Sequence, residues 1–72
     1  MHAKLNDFET GWFDLELGLT DAEIAILISK LETLRKDRGH FHARGTFEGP
    51  GGLGDIQFYW TESPAHQGLS FE

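Results

Sequence analysis

The chain contains no cysteine. It therefore has neither a disulfide framework nor a thiolate metal site, the two supports on which many small secreted domains depend. No run of residues approaches the roughly 20 apolar positions needed to cross a bilayer. Residues 1–7 also lack the apolar core of a signal peptide. We therefore expect a soluble protein that stays in the cytoplasm.

Basic residues are few: six Lys and Arg stand against twelve Asp and Glu, for a formal net charge of -6. Four of the six, Lys30, Arg35, Lys36 and Arg38, fall near the end of a predicted helix, where positive charge complements the helix dipole. An acidic chain is repelled by phosphates at long range, so we expect neither nucleic acid nor an anionic membrane as partner. The charge favours a basic protein partner, although solubility alone also selects for such a balance.

The segment from Gly39 to Phe47 alternates strictly between apolar and polar residues, as a strand with one buried side does. On one side lie Phe41, Ala43, Gly45 and Phe47. On the other lie His40, His42, Arg44 and Thr46. Residues 12–19 alternate in the same way and predict a second strand.

A helix is predicted between these strands. Thr20 followed by Glu23 forms a capping box, in which each residue can bond the backbone amide of the other. The apolar stripe of one helical face follows at Ile24, Leu27, Ile28, Leu31 and Leu34. Gly39 offers the left-handed residue that would end a helix of about 17 residues.

Residues 48–54 contain four glycines and one proline and predict a loop, after which residues 55–60 alternate again. Residues 40–60 therefore predict a β-hairpin with a long loop. Residues 3–9 are equally compatible with an edge strand and with an ordered arm. The tail, residues 61–72, would either add an edge strand or stay loose.

Together these elements predict one α+β domain spanning residues 1–72. We expect a two-layer sandwich in the order β-α-β-β, with one helix packed on a small, mainly antiparallel sheet of three to four strands. The face under the helix would comprise Phe13, Leu15, Leu17, Phe41, Ala43, Phe47, Ile56, Phe58 and Trp60. The uncovered face would comprise Trp12, Asp14, Glu16, His40, His42, Arg44, Thr46, Gln57 and Tyr59.

The uncovered face is the place where we expect function. The predicted binding residues are Trp12, His40, His42, Arg44 and Tyr59. Large aromatic rings beside charged groups are typical of interface anchors set in a polar rim. The alternative is that the two rings pack on each other or beneath the tail, with no partner involved.

A metal site is an alternative hypothesis. His40 and His42 are two residues apart on a strand, so their Cα atoms lie about 6 to 7 Å apart and both rings emerge on one side. With a carboxylate from Asp14, Glu16 or Asp55, the pair would form a ligand group that suits zinc. No third ligand stands at a fixed spacing, and polar residues on a solvated sheet face, paired loosely with nearby carboxylates, explain the histidines without a metal. Apart from zinc, the sequence suggests no cofactor.

No catalytic motif is present. The glycine-rich loop leads into a strand and lacks the lysine of a phosphate-binding loop. The serines stand in no recognisable nucleophile elbow, and a flat sheet face offers no pocket for acid–base chemistry by histidines. We therefore expect a protein that is not an enzyme.

The run Gly39-His40-Phe41-His42 follows an amphipathic helix and precedes a glycine-rich loop and an aromatic strand. In this pattern, over roughly residues 13–60, the chain resembles a family of small bacterial immunity proteins found beside polymorphic toxins. The resemblance implies a non-enzymatic protein that neutralises a toxin by direct binding, and an acidic surface would suit a basic toxin. A homodimer, or another protein bound to the open sheet face or edge, is the other association that the predicted fold would support.

Overall fold

The computed structural model describes residues 1–64 and 68–72. Its elements, in chain order, are β1 (His2–Asp7), β2 (Phe13–Gly18), α1 (Asp21–Asp37), β3 (His40–Arg44) and β4 (Asp55–Tyr59). The predicted α+β class is confirmed. The four strands form two antiparallel sheets of two strands each, β1–β2 and β3–β4, where a single sheet was expected. Within the described residues, no helix has the length and apolar character needed to cross a membrane.

Helix α1 begins as its sequence predicts. The Thr20 hydroxyl accepts a hydrogen bond from the amide of Glu23 at 3.2 Å, and the Glu23 carboxylate accepts one from the amide of Thr20 at 3.0 Å. Two of the orphan amides of the first turn are thereby satisfied. Glu23 also forms an ion pair with the N-terminal ammonium of Met1. The predicted capping box is therefore confirmed.

The end of α1 differs from the prediction by one residue. Arg38, not Gly39, adopts the left-handed conformation, with φ 57° and ψ 42°, and its amide donates to the carbonyl of Leu34 at 2.8 Å. A left-handed conformation is costly for a residue with a Cβ atom. The Arg38 guanidinium lies 4.4 Å above the ring of Trp60, and this cation–π contact offsets part of the cost.

The β1–β2 hairpin resolves the open question about residues 3–9 in favour of a strand. Its register pairs Ala3 with Leu17, Leu5 with Leu15 and Asp7 with Phe13, so these residues share one face. The turn between the strands is held by the Asp7 carboxylate, which accepts a hydrogen bond from the amide of Glu9 at 2.8 Å. Trp12 lies in this turn, immediately before β2.

The β3–β4 hairpin confirms the long-looped hairpin predicted for residues 40–60. Its register pairs Phe41 with Phe58 and Ala43 with Ile56, and all four are half-buried on one face. The rings of Phe41 and Phe58 stack with centroids 4.7 Å apart and planes 10° apart. The ladder extends one step at each end, from the amide of Gly45 to the carbonyl of Gly54 and from the amide of Trp60 to the carbonyl of Gly39.

Phe47 was wrongly assigned to the covered face. Strand β3 ends at Arg44, and Phe47 lies in the following loop with a left-handed φ of 59° and an exposed ring. The ring packs against the Cα atom of Gly54, at a place where a Cβ atom would collide with it. Gly54 is therefore required by this contact.

The predicted cover of the apolar face is only partial. No residue of the described part of the chain is buried, and Phe13, Leu15 and Leu17, which were expected beneath the helix, are exposed. The accessible surface is 6797 Å², against about 4,500 Å² for a compact monomer of this mass. The Cα radius of gyration is 14.1 Å, against about 11 Å for a compact chain of this length. Considerable apolar surface is therefore left without an intramolecular partner.

The described parts of the tail, residues 61–64 and 68–72, form no strand, and Leu69 and Phe71 are fully exposed. The edge strand considered for the tail is therefore not formed in these two parts. Residues 65–67 lie outside the described residues.

Candidate binding face

The polar side of the β3–β4 hairpin carries most of the residues that the sequence singles out. Cross-strand pairs place His40 opposite Tyr59, His42 opposite Gln57 and Arg44 opposite Asp55. Because side chains alternate along each strand, all six emerge on the side opposite the Phe41–Phe58 stack. We call these six residues the polar hairpin face: His40, His42, Arg44, Asp55, Gln57 and Tyr59.

Asp55 holds two neighbours in this face. Its Oδ1 and Oδ2 atoms lie 3.0 and 3.1 Å from Nδ1 of His42, and its Oδ1 atom lies 3.4 Å from Nε of Arg44. An ionised carboxylate can only accept, so Nδ1 of His42 carries the proton in this bond. In the neutral ring, Nε2 is then the nitrogen with a lone pair.

The two histidines contact each other as well. Their rings meet edge to face with centroids 5.2 Å apart and an interplanar angle of 89°. His42 is half-buried, whereas His40 is exposed. His40 also lines a shallow cleft of about 350 Å³ between the last turns of α1 and the start of β3.

Aromatic surface accompanies these polar groups. Tyr59 is 66% exposed and lies directly across the ladder from His40. Trp12 is 75% exposed, but it belongs to the turn of the β1–β2 hairpin. Four of the five predicted binding residues therefore share one hairpin face, and Trp12 lies in the other hairpin.

The carboxylates considered as third metal ligands are divided in the same way. Asp55 lies against His42. Asp14 and Glu16 project from β2 and accept hydrogen bonds from the side-chain amide of Asn6 at 3.1 and 2.9 Å. Across residues 1–64 and 68–72, no group of three or more His, Cys, Asp or Glu side chains is arranged to hold a metal ion. The polar hairpin face thus offers two histidines and one carboxylate that is already engaged.

The role of Asp55 in this face was not predicted from the sequence. Asp55 was considered only as a metal ligand, although it is the residue that fixes both His42 and Arg44. The hairpin register would have revealed this, since Asp55 is the cross-strand partner of Arg44 and the diagonal neighbour of His42. The bridge made by Asn6 between Asp14 and Glu16 was missed because the pairing of β1 with β2 was not predicted.

Comparison of the chain with protein-family models, with curated proteins and with solved structures gives no match in any of the three. The function must therefore be argued from the geometry of the polar hairpin face and from the exposed surface around it.

Proposed function

We propose that this chain is a small non-enzymatic binding protein that recognises another protein through the polar hairpin face. Tyr59 supplies an exposed aromatic anchor at one end of this face, across from His40, and His42 and Arg44 supply polar groups farther along it. A large ring inside a polar rim is the composition of energetically important interface residues. A shallow, exposed face of this kind suits a protein partner better than a small molecule, which needs a deep cleft.

The single observation that carries the proposal is the Asp55 carboxylate shared by His42 and Arg44. It restrains both side chains before any partner arrives, which lowers the ordering cost of association. Asp55 contacts Nδ1 of His42 and Nε of Arg44, and no other described side chain makes a hydrogen bond or ion pair with either residue. The terminal guanidinium nitrogens and the second imidazole nitrogen are therefore available to a partner.

Charge indicates the chemistry of that partner. The net charge of -6 favours a basic protein, since opposite potentials accelerate encounter and disfavour wrong partners. Together with the resemblance to immunity proteins, this makes neutralisation of a basic toxin the role that we propose for the binding. The reading frame beside the gene for this chain is the place to look for such a toxin.

The proposal is tested by titrating the polypeptide from that neighbouring frame with the wild-type chain and with Tyr59→Ala. Loss of this exposed aromatic anchor should weaken binding about tenfold or more. Phe71→Ala is the matched control, because Phe71 is a fully exposed aromatic residue of the tail. Equal affinities of the Tyr59 and Phe71 variants would contradict the proposal. Trp12→Ala then reports whether the β1–β2 turn belongs to the same interface.

Zinc binding by His40 and His42 is a second candidate, favoured by the 5.2 Å between their ring centroids. The Asp55 carboxylate bound to Nδ1 of His42 also matches the outer partner that commonly orients a metal-ligating histidine. A further ligand would have to come from water or from a partner. Zinc titration of untagged protein should raise the Tm of the wild type and not that of His42→Ala, with His2→Ala as control. An unchanged wild-type Tm would eliminate this candidate.

A further inference from the structure

Helix α1 exposes an apolar stripe that its own chain does not cover. Ile24, Ile28 and Leu31 are 44%, 56% and 44% exposed. Their spacing of four and then three residues is that of the seam between paired helices. The half-buried residues Leu27 and Leu34 lie about 80° away around the helix, so the chain contacts a neighbouring sector and leaves the stripe open.

The ends of this stripe carry opposite charges at matched distances from its centre. Asp21 lies seven residues before Ile28 and Arg35 lies seven residues after it, and both are exposed. Seven residues are nearly two helical turns, so both charges fall on the same side of the helix as Ile28. The stripe is therefore apolar between Asp21 at its N-terminal end and Arg35 at its C-terminal end, where Arg35 is paired with Glu32 of its own chain.

Such a surface is complementary to an antiparallel copy of itself. With Ile28 on a two-fold axis, Asp21 of each chain lies opposite Arg35 of the other. Ile24 of each chain lies opposite Glu32 of the other, with Leu31 beside it. This reciprocity is the property of an isologous interface. Arg35 already contacts Glu32 of its own chain at 2.8 Å, but a guanidinium has five donors and can serve a second carboxylate.

The accessible surface of the chain is large enough to leave room for an interface with a second copy. The accessible surface of 6797 Å² exceeds that of a compact monomer by about 2,300 Å². A standard interface removes about 800 Å² from each partner, and obligate dimers remove more. This excess belongs to the whole chain, including the exposed β1–β2 hairpin and the tail, and the helix stripe supplies part of it. The net charge of each copy opposes association only weakly, because it is screened beyond about 8 Å at physiological salt.

We propose that a second copy of this chain docks antiparallel on the Ile24–Ile28–Leu31 stripe and forms a two-fold symmetric dimer. The proposal is independent of the polar hairpin face and of any toxin. It leaves that face on a separate hairpin, so each dimer presents two copies of it. A bivalent binding protein gains avidity toward a partner that can reach both faces.

The first test is sedimentation velocity across a range of micromolar concentrations. The wild type should sediment as a species with twice the chain mass of 8.1 kDa. Ile28→Glu should raise the dimer Kd about tenfold or more, because it places two like charges at the axis. Ile26→Glu is the matched control: Ile26 is 58% exposed on the same helix but lies on the other side from Ile28. A monomeric wild type, or equal effects of the two variants, would overturn the proposal.

The second test separates pairing from folding by exchanging charges. Asp21→Lys faces Arg35 of the second copy, and Arg35→Glu faces Asp21, so each variant alone should dimerise less well than the wild type. An equimolar mixture should form a heterodimer in which both cross-chain pairs are again opposite in sign. Circular dichroism at equal concentration checks that each variant keeps its helix. A mixture that associates no better than its components would overturn the antiparallel arrangement.

Discussion

His42 donates from Nδ1 to Asp55, whose Oδ1 atom lies 3.0 Å away. The same oxygen lies 3.4 Å from Nε of Arg44, so a single carboxylate organises two adjacent positions of β3 from its pairing strand. A residue on β4 thus contacts two of the three polar side chains that β3 presents on this face. The consequence is that the polar hairpin face depends on hairpin register as much as on its own side chains.

Asp55→Ala should separate folding from binding. The pairs made by Asp55 are partly exposed, so we expect a loss of no more than about 1 kcal/mol in the free energy of unfolding. The free energy of partner binding should fall by more than the free energy of unfolding, because His42 and Arg44 lose their common restraint. Urea unfolding and titration calorimetry measure the two effects, with Glu32→Ala as a control that removes only the exposed pair with Arg35. A variant that binds like the wild type would show that this restraint is unimportant.

The stacked rings of Phe41 and Phe58 should account for much of the coupling between β3 and β4. A double-mutant cycle with Phe41→Leu, Phe58→Leu and their combination should give a coupling energy of about 0.5 to 1.5 kcal/mol. The cycle is measured by urea unfolding. Pairing Phe41→Leu with Phe47→Leu is the control, since the exposed ring of Phe47 lies in the loop. Equal coupling in both cycles would contradict a specific stacking contribution.

Thr20→Ala should shorten or destabilise α1, because the amide of Glu23 loses its acceptor. The expected loss is about 1 kcal/mol, the usual cost of removing a threonine cap. Thr33→Ala is a matched control in the same helix, and it should be neutral or stabilising because alanine has the higher helix propensity. Thermal unfolding followed by circular dichroism compares the two variants. Equal destabilisation by both would argue against the capping box.

Glu23 makes the start of α1 sensitive to acid. The N-terminal ammonium, followed by the amide and hydroxyl of Thr20, lowers the pKa of the Glu23 carboxyl from 4.5 to about 2. A carboxyl whose pKa is lower in the folded state stabilises the fold above the unfolded pKa and loses that contribution as the pH falls. The free energy of unfolding should therefore decrease between pH 4.5 and about 2. Glu23→Gln should show a shallower decrease in this window, and an identical slope would contradict the assignment.

The elements that local signals specify were predictable from the sequence. The capping box placed the start of α1, and alternation placed both strands of the β3–β4 hairpin and the faces of Phe41, His42 and Phe58. These signals work because they depend on residues close in sequence or on the fixed two-residue period of a strand.

The assembly of the elements was not predictable in the same way. Alternation shows which residues of a strand share a face, but it does not show which strands are neighbours. The pairing of β1 with β2 was therefore not predicted, and neither was the separation of Trp12 from Tyr59 that follows from it. The left-handed conformation of Arg38 was not predicted either, because the contact of Arg38 with Trp60 joins residues far apart in the chain.

The proposed binding surface is the polar hairpin face, and backbone amide NMR during a titration can locate it. Labelled chain would be titrated with the proposed partner, the polypeptide of the neighbouring reading frame. The account predicts that the largest shift changes cluster on β3 and β4, at His40, His42, Arg44 and Tyr59. Shift changes confined to the β1–β2 hairpin or to α1, with β3 and β4 unaffected, would contradict it.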